Sequence, residues 1–300
     1  MKKRPAVLVC ASILAAVHCV SAQIFVVNQD LGTIGEYTTA GAVINSSLVS
    51  GLFSPEGIAF SGGNLFVANF SNGTIGEFTA AGAVVNRTLI SGLSQPIGIA
   101  VSGNTIFVTN FSTGTVGAYS TSGATINSSL ISGLTNPFGI AVSGTDLFVV
   151  NAGIGTIGQY TTSGAAVKAG LITGLPGPRG IAVSGSDLFI TNNAPGTVSE
   201  YTTGGATVND SLINGLSGPI GIAISDGNLF IANNNNNTVN EYTATGRTVG
   251  APLISNLLGP TFLAAVPEPG TNLLLGVALV ALTILAVAHR RYARNVNSEQ

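Results

Sequence analysis

The chain has few of the side chains on which catalytic and metal sites depend. Its 300 residues include two cysteines, two histidines, one methionine and no tryptophan. Charged residues make up 7% of it, against about a quarter in an average soluble protein. Cys10, His18 and Cys19 lie near the N-terminus and His289 near the C-terminus, so the long middle has neither thiol nor imidazole. Disulfides, thiolate metal sites and histidine-based catalysis are therefore excluded from that middle.

Residues 1–22 have the parts of a secretory signal peptide. A basic start at 2–4 is followed by an apolar stretch at 6–17 and by small residues at 20–22. We predict cleavage by signal peptidase before Gln23, which removes both cysteines. An uncleaved N-terminal helix is the alternative, and a lipoprotein signal ending at Cys19 fits less well.

The net charge of the exported part excludes one class of partner. Residues 23–270 carry four basic and eleven acidic side chains, which gives −7. Nucleic-acid binding depends on positive charge facing phosphates. We therefore expect no nucleic-acid partner.

A 41-residue repeat runs through the middle of the chain six times without insertion or deletion. Three of its columns show the register: one asparagine column, one threonine column and one proline column. They are Asn28, Asn69, Asn110, Asn151, Asn192 and Asn233; Thr33, Thr74, Thr115, Thr156, Thr197 and Thr238; and Pro55, Pro96, Pro137, Pro178, Pro219 and Pro260.

Each repeat predicts about four short strands joined by Gly-, Ser- and Asn-rich turns. Four strands in this period are typical of a propeller blade, so residues 23–265 predict an all-β, six-bladed β-propeller. A β-solenoid is the competing repeat fold. The two ends of the repeat region fall at different points of the repeat. The mature chain begins with the second strand of a blade, and the repeat region ends with the first strand of a blade, at 259–264. We expect that last strand to complete the first blade and close the ring.

The repeat unit resembles the NHL-type blade. The resemblance is carried by Pro-x-Gly-Ile-Ala-Val, a turn, and then a strand ending in Asn, as in 96–101 and 106–110. It covers nearly all of residues 23–265 and implies a propeller, but no particular function. The family often has Asp in the asparagine column, so no carboxylate role is carried over to it.

The C-terminal region predicts a membrane anchor. Residues 271–289 are almost entirely apolar and long enough to cross the hydrocarbon core as a transmembrane helix. Residues 290–300 are a basic tail that contains Arg290, Arg291 and Arg294. Positive charge after the span predicts a cytoplasmic C-terminus, with the propeller on the exported side.

Residues 266–270 precede this span and contain Val266-Pro267-Glu268-Pro269. A Pro-Glu-Pro motif, an apolar helix and a basic cluster at the end of a chain resemble the PEP-CTERM sorting signal. The resemblance implies cleavage near the motif by an exosortase-type membrane protease and release to the outer surface or matrix. An ordinary single-span anchor is the alternative.

The repeated polar columns favour structural roles. Asparagine at a strand end can bond its own turn, and calcium or glycan coordination by the asparagine column is the alternative. Asp146 and Asp187 share a hairpin-turn column with Gln23, Asn64, Thr105 and Asn228. A glutamate column, occupied by Glu36, Glu77, Glu200 and Glu241, is expected to face solvent on outer strands. We assign no catalytic, cofactor-binding or metal-binding residue and expect no cofactor.

A site is better sought where the repeats differ. The position between Pro and Gly should ring one mouth of the central channel, with Glu56 and Arg179 three blades apart and therefore opposite. Apolar neighbours and two opposed charges suggest a mouth for a small ligand or glycan. Its six residues are Glu56, Ile97, Phe138, Arg179, Ile220 and Thr261.

Together these features favour an exported, surface- or matrix-associated, non-catalytic binding or structural module, with exopolysaccharide or a surface glycan as the expected partner. The alternative is an extracellular NHL-like hydrolase or lyase acting on polysaccharide or a lactone. A purely structural repeat without a small ligand is the third reading.

Overall fold

The computed structural model describes residues 22–266, so residues 1–21 of the predicted signal peptide, residues 267–270 of the predicted sorting motif, the predicted membrane helix and the basic tail lie outside that range. No helix long and apolar enough to cross a membrane occurs within it. The described part contains 24 strands. In chain order they are β1 (Gln23–Asn28), β2 (Thr33–Thr38), β3 (Val43–Val49), β4 (Pro55–Ser61), β5 (Asn64–Asn69), β6 (Thr74–Thr79), β7 (Val84–Ile90), β8 (Pro96–Ser102), β9 (Thr105–Asn110), β10 (Thr115–Ser120), β11 (Thr125–Ile131), β12 (Pro137–Ser143), β13 (Asp146–Asn151), β14 (Thr156–Thr161), β15 (Ala166–Ile172), β16 (Pro178–Ser184), β17 (Asp187–Asn192), β18 (Thr197–Thr202), β19 (Thr207–Ile213), β20 (Pro219–Ser225), β21 (Asn228–Asn233), β22 (Thr238–Thr243), β23 (Thr248–Ile254) and β24 (Pro260–Val266).

The strands form six antiparallel four-stranded sheets, so the predicted six-bladed propeller is confirmed. Five sheets are consecutive in sequence, and the first has the order β24-β1-β2-β3. We number the blades 1–6 from that sheet. The strands β24, β4, β8, β12, β16 and β20 are the innermost, and each contacts the next around a closed cycle.

The last strand closes the ring as the phase of the chain ends predicts. Strand β24 pairs antiparallel with β1, with Gln23 opposite Val266 and Val26 opposite Leu263. It spans Pro260–Val266 rather than the predicted 259–264, because the ladder continues to the first residue of β1. Val266, assigned from sequence to the sorting motif, is thus the last residue of the first blade. Closure leaves no radial edge open at the junction.

Apolar side chains fill the spaces between blades. The phenylalanine column of the second strands is almost fully buried, as Phe25, Phe107 and Phe148 illustrate with exposures of 0–2%. Interior strands pack on both faces, so their sequences are nearly continuous apolar runs and do not alternate between apolar and polar residues. The outermost strand is exposed over its first five residues in blades 1 to 5, and in blade 6 only Gly250 among those five is half-buried.

The innermost strands pack too closely for a side chain at the glycine of Pro-x-Gly. A Cβ on Gly57 would lie 2.0 Å from the carbonyl oxygen of Ile97 in the next blade, and one on Gly98 would lie 2.4 Å from that of Phe138. Real Cβ atoms do not approach so closely, so glycine is required there. In β24 this position is Phe262 instead.

Candidate functional site

The six residues between Pro and Gly, which we call the inner ring, lie at one end of the innermost strands. In all six blades the first strand pair shows a β-bulge beside them; in blade 2, Pro55 faces Asn69, and regular pairing resumes only at Ile58 opposite Val67. Bulges redirect side chains out of the regular alternation. The fold therefore places one variable residue per blade around the channel.

Most of the inner ring is buried. Ile97 and Phe138 belong to the apolar cluster that also contains the half-buried Ile220. Thr261 is 1% exposed, and its hydroxyl donates a 3.0 Å hydrogen bond to the main-chain oxygen of Glu56. Thr261 is therefore used in joining β24 to β4.

Phe262 contacts the inner ring from the opposite side of the channel. Its ring stacks on that of Phe138, three blades away, with centroids 5.9 Å apart and an interplanar angle of 28°. Among the six innermost strands, β24 alone carries a side chain at the glycine position. The sequence signal was the break in the glycine column at residue 262.

Glu56 is a buried carboxyl group with one partner. It is 9% exposed; its Oε1 accepts a 2.5 Å hydrogen bond from Nε2 of Gln29, and its Oε2 has no partner among the described residues. Burial raises the pKa of Glu56 to about 7, against the lowering effects of the Gln29 hydrogen bond and the charge of Arg179. An unsatisfied buried oxygen of this kind costs about 1–3 kcal/mol.

Arg179 lies against an aromatic face. Its Cζ is 4.7 Å from the centroid of the Phe138 ring, a cation–π contact. Partial burial lowers the pKa of Arg179, and the charge of Glu56 raises it. The two opposed charges therefore act on each other across the channel, although Arg179 donates no hydrogen bond to Oε2 of Glu56.

A second ring was not singled out from sequence. It consists of the residue after each strand-end asparagine, and all six members are half-buried: Gln29, Phe70, Phe111, Ala152, Asn193 and Asn234. Blades 2 to 4 contribute the apolar members, which pack on the cluster containing Ile97 and Phe138. Blades 5, 6 and 1 contribute amides. The same criterion that found the inner ring, disagreement between repeats, would have found this column.

The three amides are each held by the next blade. Nδ2 of Asn193 donates to the Pro219 oxygen at 3.4 Å, and Nδ2 of Asn234 donates to the Pro260 oxygen at 3.3 Å. Gln29 donates to Glu56. Each amide oxygen is thereby oriented as an acceptor. One half of the second ring is polar and the other half apolar.

In blades 2 to 4 the asparagine column has the structural role predicted for it, whereas the buried Oδ1 of Asn28, Asn192 and Asn233 has no partner among the described residues. Oδ1 of Asn69 accepts a 3.1 Å hydrogen bond from the Phe53 amide, and its Nδ2 donates to the Thr74 hydroxyl at 3.3 Å. Equivalent bonds to the main chain are made by Asn110 and Asn151. The side chain thus ties a strand end to the loop that enters the same blade.

The expectation for the glutamate column is wrong. Glu36, Glu77 and Glu241 are buried on the third strand of their blades, and Glu200 is half-buried. Interior propeller strands have no solvent face, so the polar position must be satisfied inside. An amide does this: Gln23 donates to Glu36 at 2.8 Å, Asn64 to Glu77 at 2.6 Å and Asn228 to Glu241 at 2.7 Å. Burial raises the pKa of Glu36 and of Glu241.

Blade 5 breaks this pattern, because it has Asp187 where blades 1, 2 and 6 have an amide. Burial, and then the charge of Asp187, raise the pKa of Glu200. Blade 4 has the reverse arrangement, with Gln159 donating to Asp146 at 3.1 Å. The hairpin-turn column therefore supplies partners for the glutamate column. No cluster of three or more metal-ligating side chains occurs in residues 22–266.

Two larger depressions lie between blades at the periphery. One of about 480 Å³ is lined by Phe107, Ala118 and Leu130, and one of about 430 Å³ by Phe230, Glu241 and Leu253. Their lining residues occupy the same columns of the repeat, so both follow from regular blade packing. The channel end combines irregular residues with an unsatisfied buried carboxyl oxygen, and it is the better candidate site.

The fold defines the chain as a six-bladed β-propeller, and comparisons with solved structures agree. A structure of a nidogen/laminin complex matches with a TM-score of 0.71 at 17% identity, covering 82% of this chain and 98% of that one. A functionally unknown protein from Desulfotomaculum acetoxidans DSM 771 matches with a TM-score of 0.60 at 18% identity, covering 82% and 99%.

A streptogramin B lyase structure matches with a TM-score of 0.54 at 21% identity, covering 66% of this chain and 70% of that one. At these identities the likeness is one of fold alone. No family model matches the sequence, and no curated protein matches it.

Proposed function

We propose that the protein is an exported, surface- or matrix-associated, NHL-like propeller that acts as a non-catalytic binding module and takes its ligand at the channel end. The observation that carries this proposal is Glu56, whose buried Oε2 has no partner among the described residues. A donor group of a ligand would satisfy that oxygen. The half-buried second ring around it supplies both apolar and polar contacts.

A binding screen tests the proposal. The full chain in mild detergent is applied to a glycan array, with a divalent-metal thermal-shift assay alongside. We expect at least one glycan to bind and Glu56→Gln to weaken it. The matched control is Glu77→Gln, which changes a buried carboxylate outside the channel end. The absence of glycan binding and of a metal-induced thermal shift would contradict the binding module and favour a purely structural repeat.

The proposal includes sorting through the C-terminal tail. Signal peptidase would act before Gln23, and an exosortase-type protease would act near Pro267-Glu268-Pro269 and release the propeller from its membrane anchor. Mass spectrometry of the cell-associated protein should then find a new C-terminus near Glu268. An intact Arg294 in the mature product would contradict processing and leave a membrane-anchored propeller.

One observation favours a second candidate, an extracellular lyase or hydrolase acting on polysaccharide or a lactone. The pKa of Glu56, about 7, is suited to a general base at neutral pH. Arg179 could neutralise a substrate carboxylate across the channel. Incubation with acidic polysaccharide and detection of an ultraviolet-absorbing unsaturated product, together with a lactone-hydrolysis assay, separates the two functions.

A further inference from the structure

Arg179 indicates that the ligand carries a negative charge. Its guanidinium is half-buried against Phe138, and Glu56 is the acidic residue whose charge acts on it. When a guanidinium stacks on an aromatic ring, its N–H groups remain free to donate hydrogen bonds in its own plane. Two parallel N–H groups match the two oxygens of a carboxylate. The channel end therefore suits a ligand with a carboxylate group.

The three amide side chains of the second ring indicate that the ligand carries several hydroxyl groups. Gln29, Asn193 and Asn234 are held through their amide nitrogens, and their oxygens are left as acceptors along one half of the second ring. Oε2 of Glu56 adds a further acceptor. A simple amino acid has too few donors for this arrangement, whereas a sugar presents several hydroxyls on one edge.

The remaining half of the second ring suits the other face of a sugar. Phe70, Phe111 and Ala152 lie on three consecutive blades and are half-buried. The C–H face of a pyranose is apolar and can pack on such a surface. Apolar contact, hydroxyl acceptors and a guanidinium are thus arranged around one channel end.

We propose that the channel end binds a hexuronate residue of an acidic glycan. Its carboxylate meets Arg179, its hydroxyls meet Glu56 and the held amides, and its C–H face packs on Phe70 and Phe111. This inference rests on the proposed function and names the ligand class of the same site. A neutral sugar would leave the partly desolvated Arg179 without a hydrogen-bonded anion, because Glu56 acts on it through charge alone, and this disfavours a neutral sugar.

The test compares two probes by isothermal titration calorimetry with the full chain in detergent micelles. The first probe is a hexuronate trisaccharide, and the second is the same trisaccharide with its carboxyl groups reduced to alcohols. We expect the acidic probe to bind at least about tenfold more tightly, the effect of a charge-assisted hydrogen-bonded pair. Arg179→Gln should abolish the difference, and Arg179→Lys should keep part of it.

The matched control is Arg247→Gln, an exposed arginine in the turn between β22 and β23, which should leave both affinities unchanged. Equal affinities for the two probes, both weakened by Glu56→Gln, would overturn the hexuronate while leaving binding at the channel end intact. Absence of binding by both probes would also overturn it; binding of any other glycan on the array would then keep the proposed function. Because the two probes are compared on the unmodified chain, the test stands even where Arg179→Gln fails to fold.

Discussion

The hydroxyl of Thr261 donates a 3.0 Å hydrogen bond to the main-chain oxygen of Glu56, which precedes it by 205 residues. This bond joins the last strand of the chain to the innermost strand of blade 2. It is also the point where ring closure and the candidate site meet, because Glu56 carries the buried carboxyl group of the inner ring. The stability of the closed ring and the geometry of the site are therefore linked through one residue pair.

Removing that hydroxyl should weaken closure. We expect Thr261→Val to lower the free energy of unfolding by about 1–2 kcal/mol, because a buried carbonyl oxygen loses its donor. Urea unfolding measures the change. Thr191→Val is a comparison with at least as large an effect, since Thr191 accepts from the Gly180 amide and donates to the Ile220 oxygen between blades 5 and 6. The exposed Thr245→Val should change stability by less than about 0.5 kcal/mol; an equal loss there would contradict the interpretation.

Close packing of the innermost strands predicts that Gly57→Ala is strongly destabilising. The new Cβ would lie 2.0 Å from the Ile97 carbonyl oxygen, so two innermost strands must separate. We expect a loss of about 2–3 kcal/mol in urea unfolding, at the upper end for overpacking. Gly170→Ala is the control, because its nearest atom would be 3.5 Å away. Similar values for the two variants would show that the strands can move apart freely.

The raised pKa of Glu56 predicts a pH-dependent stability. The folded chain holds this proton more tightly than the unfolded chain does, so the contribution of Glu56 to stability falls as pH rises from about 4.5 to about 7. Glu56→Gln should therefore gain stability relative to the parent across that range, reaching on the order of 3 kcal/mol above it. Urea unfolding at a series of pH values measures the difference. A difference independent of pH would mean that the carboxyl group is not desolvated.

Blade 5 can be given the amide that blades 1, 2 and 6 have. We expect Asp187→Asn to raise the free energy of unfolding at neutral pH by roughly 0.5–1 kcal/mol, because it removes a like charge and supplies a donor for Glu200. The gain is small since the pair is partly exposed. NMR titration should also find a lower pKa for Glu200.

The control for blade 5 is Asp210→Asn, which changes an exposed carboxylate outside the pair. It should leave stability within about 0.5 kcal/mol of the parent. A loss of stability in Asp187→Asn would mean that Glu200 is already satisfied by other means.

Much of the fold could be predicted from the repeat. Six copies of one spacing give the number of blades, and the different phase of the two chain ends gives closure between β24 and β1. The role of the asparagine column in blades 2 to 4 followed from the chemistry of a strand-end amide. The glutamate column could not be placed correctly, because a period-two pattern identifies a solvent face only where one face of the sheet is exposed.

The sequence by itself determined the repeat, the strand order within a blade and the absence of thiols and imidazoles from the described propeller, since all of these are properties of residue type and spacing. Only the tertiary structure decided which polar side chains are buried. Glu56 of blade 2 accepts its one side-chain hydrogen bond from Gln29 of blade 1, and Phe262 meets Phe138 because ring closure brings blades 1 and 4 to opposite sides of one channel. Contacts across a ring depend on residues far apart in the chain, and a local pattern does not contain them.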